Sequence, residues 1–351
     1  MAVYGTILGN AITSKRSFAK ADSSVVAFTK TDVFSVSTAT DILLEIDDNF
    51  VDVNSGTAVS MPSPIIGTDY AVWVTPRGTL QATADAINPP VTGARKIGGF
   101  HYAPGSNATA QSGGNTTPQI NEYSFWDLKF RPVCPDPRGM TLVNNTFWCD
   151  IYLTGVDAIT NGSSKYNVTI ADGSSPPKIP VMFGGDGSTT YGSYTWFEAM
   201  ELSGYFGKRS MSYSEFVVAA FGTSEAVSRS GSDNNYAPDK TGIGTSATNP
   251  DRTGSYYPDQ YFTSKWGLIQ ATGCMYAWGR DRAGPYNTGG WNANTEGRGS
   301  EYNAPNASLF GGYWNYSSNS GSRCSLWGYA ASVSYGSLGS RFACDHLVLG
   351  S

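Results

Sequence analysis

The stretch Gly311–Leu347, GGYWNYSSNSGSRCSLWGYAASVSYGSLGSRFACDHL, decides how this chain is read. Between Tyr313 and Leu338 it holds no Asp, Glu or Lys and a single Arg, Arg323. Most of the remainder is Tyr, Ser, Asn, Gly or Ala. Two readings fit that composition. One is an antibody-like contact surface, where Tyr gives large, stiff contact area and Ser, Asn and Gly give adaptable hydrogen bonding. The other is a Ser/Gly-rich loop or a buried aromatic strand.

The rest of the chain narrows the setting. Its 351 residues are long for one domain and comfortable for two. Abundant Gly (41), Tyr (21) and Trp (9) with only 15% charged residues suit short strands and long ordered loops. A net charge of −5 argues against nucleic acid as a partner, because phosphate binding needs a basic face. No apolar run is long enough to cross a bilayer, so no membrane insertion is expected. Met1–Asn10 does not read as a secretory signal, which implies synthesis in a cytosol. The five cysteines, Cys134, Cys149, Cys274, Cys324 and Cys344, form no CxxC and read as reduced structural thiols.

Strand signals between turn signals run from Ser24 to Thr79, in Ser24–Thr29, Asp41–Ile46 and Tyr70–Thr75. Gly98-Gly-Phe-His-Tyr opens another strand, and Cys134-Pro-Asp-Pro-Arg-Gly marks a boundary near residue 138. Beyond it, Thr195 with Glu198 and Ser212 with Glu215 are capping boxes that predict helices over 195–204 and 212–221. The expected fold class is α+β, with a β-sandwich over 1–138 and a second domain over 139–351.

The inventory for catalysis is thin. His101 and His346 lie in strand-like contexts and read as structural. There is no GxSxG elbow, HExxH, P-loop or dinucleotide fingerprint. Asp47-Asp48 suits a turn better than a pair flanking a substrate. Asp186, Asp281 and Glu296 are oxygen-rich spots for calcium, but no loop follows an EF-hand pattern, and metal binding stays open. No cofactor is expected.

From Phe183 onward the punctuation resembles the formylglycine-generating-enzyme branch of the C-type lectin fold. The similar strings are Gly207-Lys-Arg-Ser-Met-Ser-Tyr-Ser-Glu-Phe, Tyr276-Ala-Trp-Gly, Phe310-Gly-Gly-Tyr-Trp, Ser322-Arg-Cys and Leu338-Gly-Ser-Arg-Phe. A closer resemblance is to the bacteriophage major tropism determinant family, variable proteins of diversity-generating retroelements. It is carried by Arg95-Lys-Ile-Gly-Gly-Phe-His-Tyr-Ala-Pro-Gly-Ser-Asn, Gly113-Gly-Asn-Thr-Thr, Lys129-Phe-Arg-Pro, Asp136-Pro-Arg-Gly-Met-Thr-Leu, Ser164-Lys-Tyr-Asn-Val-Thr-Ile-Ala-Asp-Gly, Thr263-Ser-Lys-Trp-Gly and Cys344-Asp-His-Leu. It covers the chain from about Arg16.

This resemblance implies a C-type-lectin-like second domain whose C-terminal codons are rewritten by template-directed, adenine-specific mutagenesis. Carried over position by position, the variable, ligand-binding residues are Tyr313, Asn315, Tyr316, Ser317, Asn319, Leu326, Gly328, Tyr329, Val333, Tyr335, Ser337 and Leu338. Trp314, Arg323 and Trp327, with Gly321, Ser322 and Gly339, fall between them as scaffold. The expectation is one exposed patch, with Trp314, Arg323 and Trp327 turned inward beneath it. The resemblance further implies a homotrimer on a phage tail fibre, hence in the virion, that engages a host cell-surface receptor, protein or glycan. The family has a further N-terminal β-domain for which this chain begins too late, so its mode of attachment stays open.

Two other functions are weighed against residues. A formylglycine-generating oxidase needs a cysteine pair just after the Gly-Gly-aromatic motif. That place holds Asn315 and Ser320, with Cys324 alone further on, so no enzyme is expected. A calcium-dependent sugar lectin needs acidic ligands. The nearest strings, Ala304-Pro-Asn and Trp291-Asn-Ala, lack the carboxylates.

Overall fold

Short strands punctuated by Gly, Asn and Asp build two β-rich units. The structure is a computed structural model that describes residues 17–230, 237–242, 257–285, 290–293 and 297–348. The first unit runs to Pro104 and adds Pro118–Arg138 and Asp345–Ser351; the second holds Gly105–Thr117 and Gly139–Cys344. Relative to a single cut at 138, one Gly/Ser-rich loop and the end of the last strand lie on the other side.

In the first unit β1 (Phe18–Lys20), β4 (Ile42–Ile46) and β5 (Asn49–Val53) form an antiparallel sheet in the order β1-β4-β5. A second sheet takes β6 (Val59–Ser60), β7 (Thr68–Val74), β8 (Leu80–Thr83), β9 (Arg95–Ala103) and β10 (Gln119–Ile120) in the order β10-β9-β7-β8-β6. On β9 it also receives β11 (Trp126–Asp127). A hairpin of β2 (Phe28–Asp32) and β3 (Ser35–Thr38) completes the set. Their shared core includes Phe28, Ile42, Leu44, Val72, Val74, Ile97 and Phe100. Gly98 is dictated by close approach, since a Cβ there would meet the Trp126 carbonyl at 2.3 Å and the Phe28 ring at 2.5 Å.

Buried charge in this unit is matched. Lys20 and Asp127 pair at 2.8 Å with both side chains fully buried. The Asp127 carboxylate also accepts the backbone N–H groups of Ala27, Lys129 and Phe130. His101 is buried with Nδ1 2.7 Å from the Asp69 carboxylate. His346 stands edge-on to Phe130, and burial pushes its pKa down. Its strand, β22 (Phe342–Val348), ends against β12 (Phe130–Pro132).

In the second unit β13 (Met140–Val143) and β14 (Phe147–Asp150) form a hairpin. β22 begins beside β14 and pairs with β15 (Arg209–Ser210). A second sheet runs in the order β20-β19-β16-β21, from β16 (Tyr276–Pro285), β19 (Pro305–Phe310), β20 (Ser325–Tyr329) and β21 (Leu338–Gly339). A two-stranded ribbon joins β17 (Trp291–Ala293) to β18 (Ser300–Tyr302). Both expected helices are present, over Trp196–Tyr205 and Tyr213–Ala219, and both capping boxes are made. The first helix passes through Gly204, and the left-handed turn falls instead at Gly207 (φ +65°). The second ends at Ala219, earlier than expected, ahead of Gly222 at φ +101°.

Arg341 ties this unit together. Its side chain is buried, Nη1 donates to the carbonyls of Asp150 and Ile151, and Nη2 donates to those of Ile269 and Gln270. The Asp150 carboxylate takes Lys208 at 2.6 Å, which explains the Lys of the Gly-Lys-Arg motif. Two of the spots suggested for calcium are otherwise employed. Asp186 closes a local turn onto the N–H groups of Thr189 and Ser188, bonds that hold its carboxyl far below the usual range. Asp281 accepts the Tyr213 N–H at 2.5 Å. Glu296 lies outside the described residues. Among the described residues no group of acidic, His or Cys side chains is arranged to hold a metal, and no helix is long and apolar enough to cross a membrane.

Replacing Arg341 with Leu removes the guanidinium from those buried carbonyls, of which Ile151 keeps the Ile269 N–H. The expected loss of unfolding free energy is on the order of 3–5 kcal/mol. Thr195→Ala removes one cap and costs about 1 kcal/mol. Urea denaturation checks both, and equal losses would contradict the role given to Arg341.

Candidate ligand-binding surface

The Tyr-rich segment leaves β19 through Gly311 and is fixed by its main chain. The Gly311 N–H donates to the Cys324 carbonyl at 3.0 Å, and the Gly311 carbonyl accepts from Gly273 N–H at 3.0 Å. Between them the chain makes tight turns, with Tyr316 N–H to the Tyr313 carbonyl and Asn319 N–H to the Tyr316 carbonyl, both 3.0 Å.

A neighbouring stretch, Glu225–Ser230, holds these turns from outside. Ser228 Oγ donates to the Trp314 carbonyl and accepts the Ser317 N–H, each at 2.8 Å. Ser230 N–H donates to the same Trp314 carbonyl at 2.8 Å, and Ala226 N–H to the Ser320 carbonyl at 3.0 Å. The Glu225 carboxylate accepts both the N–H (3.0 Å) and the hydroxyl (2.5 Å) of Ser322. Gly321 is required beside it, because a Cβ there would stand 2.2 Å from Glu225 Oε2.

The second half is held in the same manner. β20 pairs with β19 through Leu309↔Leu326 and Ala307↔Tyr329, with one irregularity between. Trp196 N–H donates to the Ala331 carbonyl, Gly173 N–H to that of Tyr335, and Tyr276 N–H to that of Ser337. Tyr194 N–H reaches the Ser334 hydroxyl at 2.9 Å. None of the bonds named in these three paragraphs uses a side chain of the twelve positions read as variable. Those bonds fix the peptide path without drawing on the twelve side chains, several of which pack against the core beneath it.

The structure puts Ser317, Asn319, Gly328 and Tyr335 in solvent, while Tyr313, Asn315, Tyr316, Leu326, Tyr329, Val333 and Ser337 are half-buried. Tyr313 and Tyr316 rings lie 5.2 Å apart, and Tyr329 and Tyr335 5.8 Å apart. Burial, then the phenols of Tyr335, Tyr316 and Tyr313, push the Tyr329 hydroxyl pKa up, which places the four rings in one neighbourhood. Tyr276 lies beneath, 5.7 Å from the Tyr313 ring and 5.5 Å from that of Tyr316.

Two assignments are corrected. Leu338, expected outside, is 1% exposed, because β21 pairs in parallel with β16 (Tyr276↔Leu338) and carries it into the core. Arg323, expected inside, is exposed, and its contribution is a carbonyl that accepts the Tyr213 hydroxyl at 2.9 Å. A guanidinium inside would need several acceptors; that role belongs to Arg341. Trp314 and Trp327 are half-buried and pack from outside against separate clusters. Leu326 and Trp327 point to different clusters, as successive residues of a strand must.

Sequence reading missed Glu225, Ser228, Trp196, Gly173 and Tyr276 as supports. The first two sit in a Ser/Gly/Asn-rich stretch with no periodic signal. Chemically the surface is aromatic, neutral and rich in hydroxyls. Burial raises the Cys324 thiol pKa, and a thiol kept protonated is a poor nucleophile or metal ligand.

A β-rich scaffold that locks a loop by its main chain and turns the loop's side chains outward defines a C-type-lectin-like display protein. A family profile described as "Mtd second domain" matches residues 21–127. The tail fiber receptor-binding protein of Bordetella phage BPP-1 is 49% identical over 338 residues, spanning 95% of this chain and 86% of that protein. Among solved structures, the Major Tropism Determinant M1 variant superposes with a TM-score of 0.90 at 49% identity, over 96% of this chain and 87% of its own. The I1 variant gives 0.89 at 49% identity, over 95% and 87%. The chain belongs to the major tropism determinant family.

Side-chain placement makes a stability test. Leu338→Ala should cost about 2–5 kcal/mol as a core truncation. Trp327→Ala, half-buried, should cost about 2 kcal/mol, and Tyr335→Ala should stay within about ±0.5 kcal/mol. Urea titrations rank the three; a Tyr335→Ala loss above that of Trp327→Ala reverses inside and outside.

Proposed function

We propose that this chain is a non-enzymatic receptor-binding protein that sets host tropism, carried on a phage tail fibre and hence on the virion. One observation carries the reading: the Tyr-rich segment is held by bonds to its main chain, from Glu225, Ser228, Trp196 and Gly173 and from its pairing with β19. Such a scaffold tolerates rewriting of its surface, which is what template-directed mutagenesis of the segment demands. The similarity to a tail fiber receptor-binding protein supports the same assignment.

The proposed docking face comprises Tyr313, Asn315, Tyr316, Ser317, Asn319, Leu326, Gly328, Tyr329, Val333, Tyr335 and Ser337. Its rings offer stiff apolar area and its hydroxyls offer donors without a charge to desolvate. That chemistry suits a protein or glycan epitope on a bacterial surface. A homotrimer would present three such faces, and linked sites gain on the order of 10²–10⁴ in avidity over one.

Binding of the purified protein to whole host bacteria tests the site. Tyr329→Ala or Tyr335→Ala should weaken binding by about 2 kcal/mol, roughly thirtyfold, if that ring is a hot spot. Affinity unchanged in both variants and in Tyr316→Ala would place the receptor elsewhere. Light scattering should give a mass three times that of the chain, and a stable monomer at micromolar concentration would remove the avidity argument.

A further inference from the structure

The first unit contains a cavity of about 270 Å³ lined from β7, β9, β11 and the Pro135–Arg138 stretch. Trp126 and Leu128 give it apolar surface; Lys96, Arg131, Arg138 and Asp136 give it charge. Three cations against one carboxylate leave a formal surplus of two positive charges (3 − 1 = 2).

The bonding sharpens that surplus. Arg138 takes both oxygens of Asp136, through Nε at 2.9 Å and 3.0 Å and Nη2 at 2.6 Å, so the carboxylate is already engaged. Arg131 donates only to carbonyls in the bonds that fix it, Nε to Pro132 (3.2 Å) and Nη2 to Cys134 (2.8 Å) and Pro135 (3.0 Å). Lys96 Nζ likewise donates to the Ala86 carbonyl at 2.8 Å and has two further hydrogens to offer. Carbonyl oxygens orient these cations without neutralising them. Partial desolvation at the cavity wall, then the like charges of Arg138 and Arg131, hold Lys96 below its ordinary value, with Asp136 acting the other way. An anion in the cavity would relieve that repulsion.

We propose that this cavity binds a small ring carrying one carboxylate, an acidic sugar or an aromatic acid, at a site separate from the Tyr-rich surface. The volume is near the lower end of ligand pockets, about 300 Å³, which limits the occupant to one ring. An indole and a leucine suit the ring's apolar face, and a fixed guanidinium with a nearby ammonium suits the carboxylate.

Calorimetry and saturation-transfer NMR on the full chain at low salt, with sodium glucuronate, sodium benzoate and glucose, test this. At least one acid should bind saturably, at least about tenfold tighter than glucose, as expected for loss of a charge-assisted contact. Lys96→Gln and Arg131→Gln should each weaken that acid by a similar factor; Lys96 is exposed, so its variant keeps the fold if Arg131→Gln does not. Tyr335→Ala should leave it unchanged, which separates this site from the receptor face. Whichever acid binds tighter identifies the source. No saturable binding of either acid, equal binding of glucose, or unchanged affinity in Lys96→Gln overturns the proposal.

Discussion

Arg341 is the constraint on which the second unit depends. A buried guanidinium loses its hydration and must recover it from fixed acceptors. Here the acceptors are main-chain carbonyls from two distant stretches, Asp150–Ile151 and Ile269–Gln270. Carbonyls cannot be repacked as side chains can, so the guanidinium sets the spacing of both stretches and of the strand that carries it. Lys208 completes the junction from the helix-proximal side by pairing with the Asp150 carboxylate.

From this junction the order propagates to the Tyr-rich face. Gln270 donates to Asp259, and Asp259 pairs with Arg229 at 2.6 Å. Arg229 lies between Ser228 and Ser230, the two residues that hold the Trp314 carbonyl. At the other end of the segment, Ser340 bonds Thr154 and Tyr194 immediately before Arg341. Both ends of the Tyr-rich stretch are thus referred to one buried polar network. Hydrogen bonds in such a buried network hold the peptide path of the segment from both ends.

That division separates what holds the Tyr-rich segment from what it presents. Binding needs preorganised side chains, since ordering a loop on contact consumes interaction energy. Half-burial of Tyr313, Tyr316 and Tyr329 restricts their rings by packing on the floor supplied by Tyr276, Leu309 and Phe342. Substitution at those positions changes the visible chemistry while the peptide path is held by Glu225, Ser228, Trp196 and Gly173. The lone Cys324 belongs to the same floor, where burial keeps its thiol protonated.

Sequence alone determined the elements whose signals are local. Both helices were legible because a capping box needs only residues three apart, and the neutral, Tyr-rich character of the display segment is a matter of composition. The strand–turn alternation of the first unit was legible for the same reason. Tertiary structure decided what depends on remote partners. Leu338 is core because β16, some sixty residues earlier, pairs with it in parallel. Arg323 and Arg341 are both arginines in one segment, and only the carbonyls gathered around Arg341 select which one is buried. Glu225 and Ser228 carry no pattern of their own; their role exists because folding brings them to Ser322, Trp314 and Ser317. Burial and hydrogen bonding are pairwise properties of a folded chain, and a residue's type states what it can bond without stating what will be within reach.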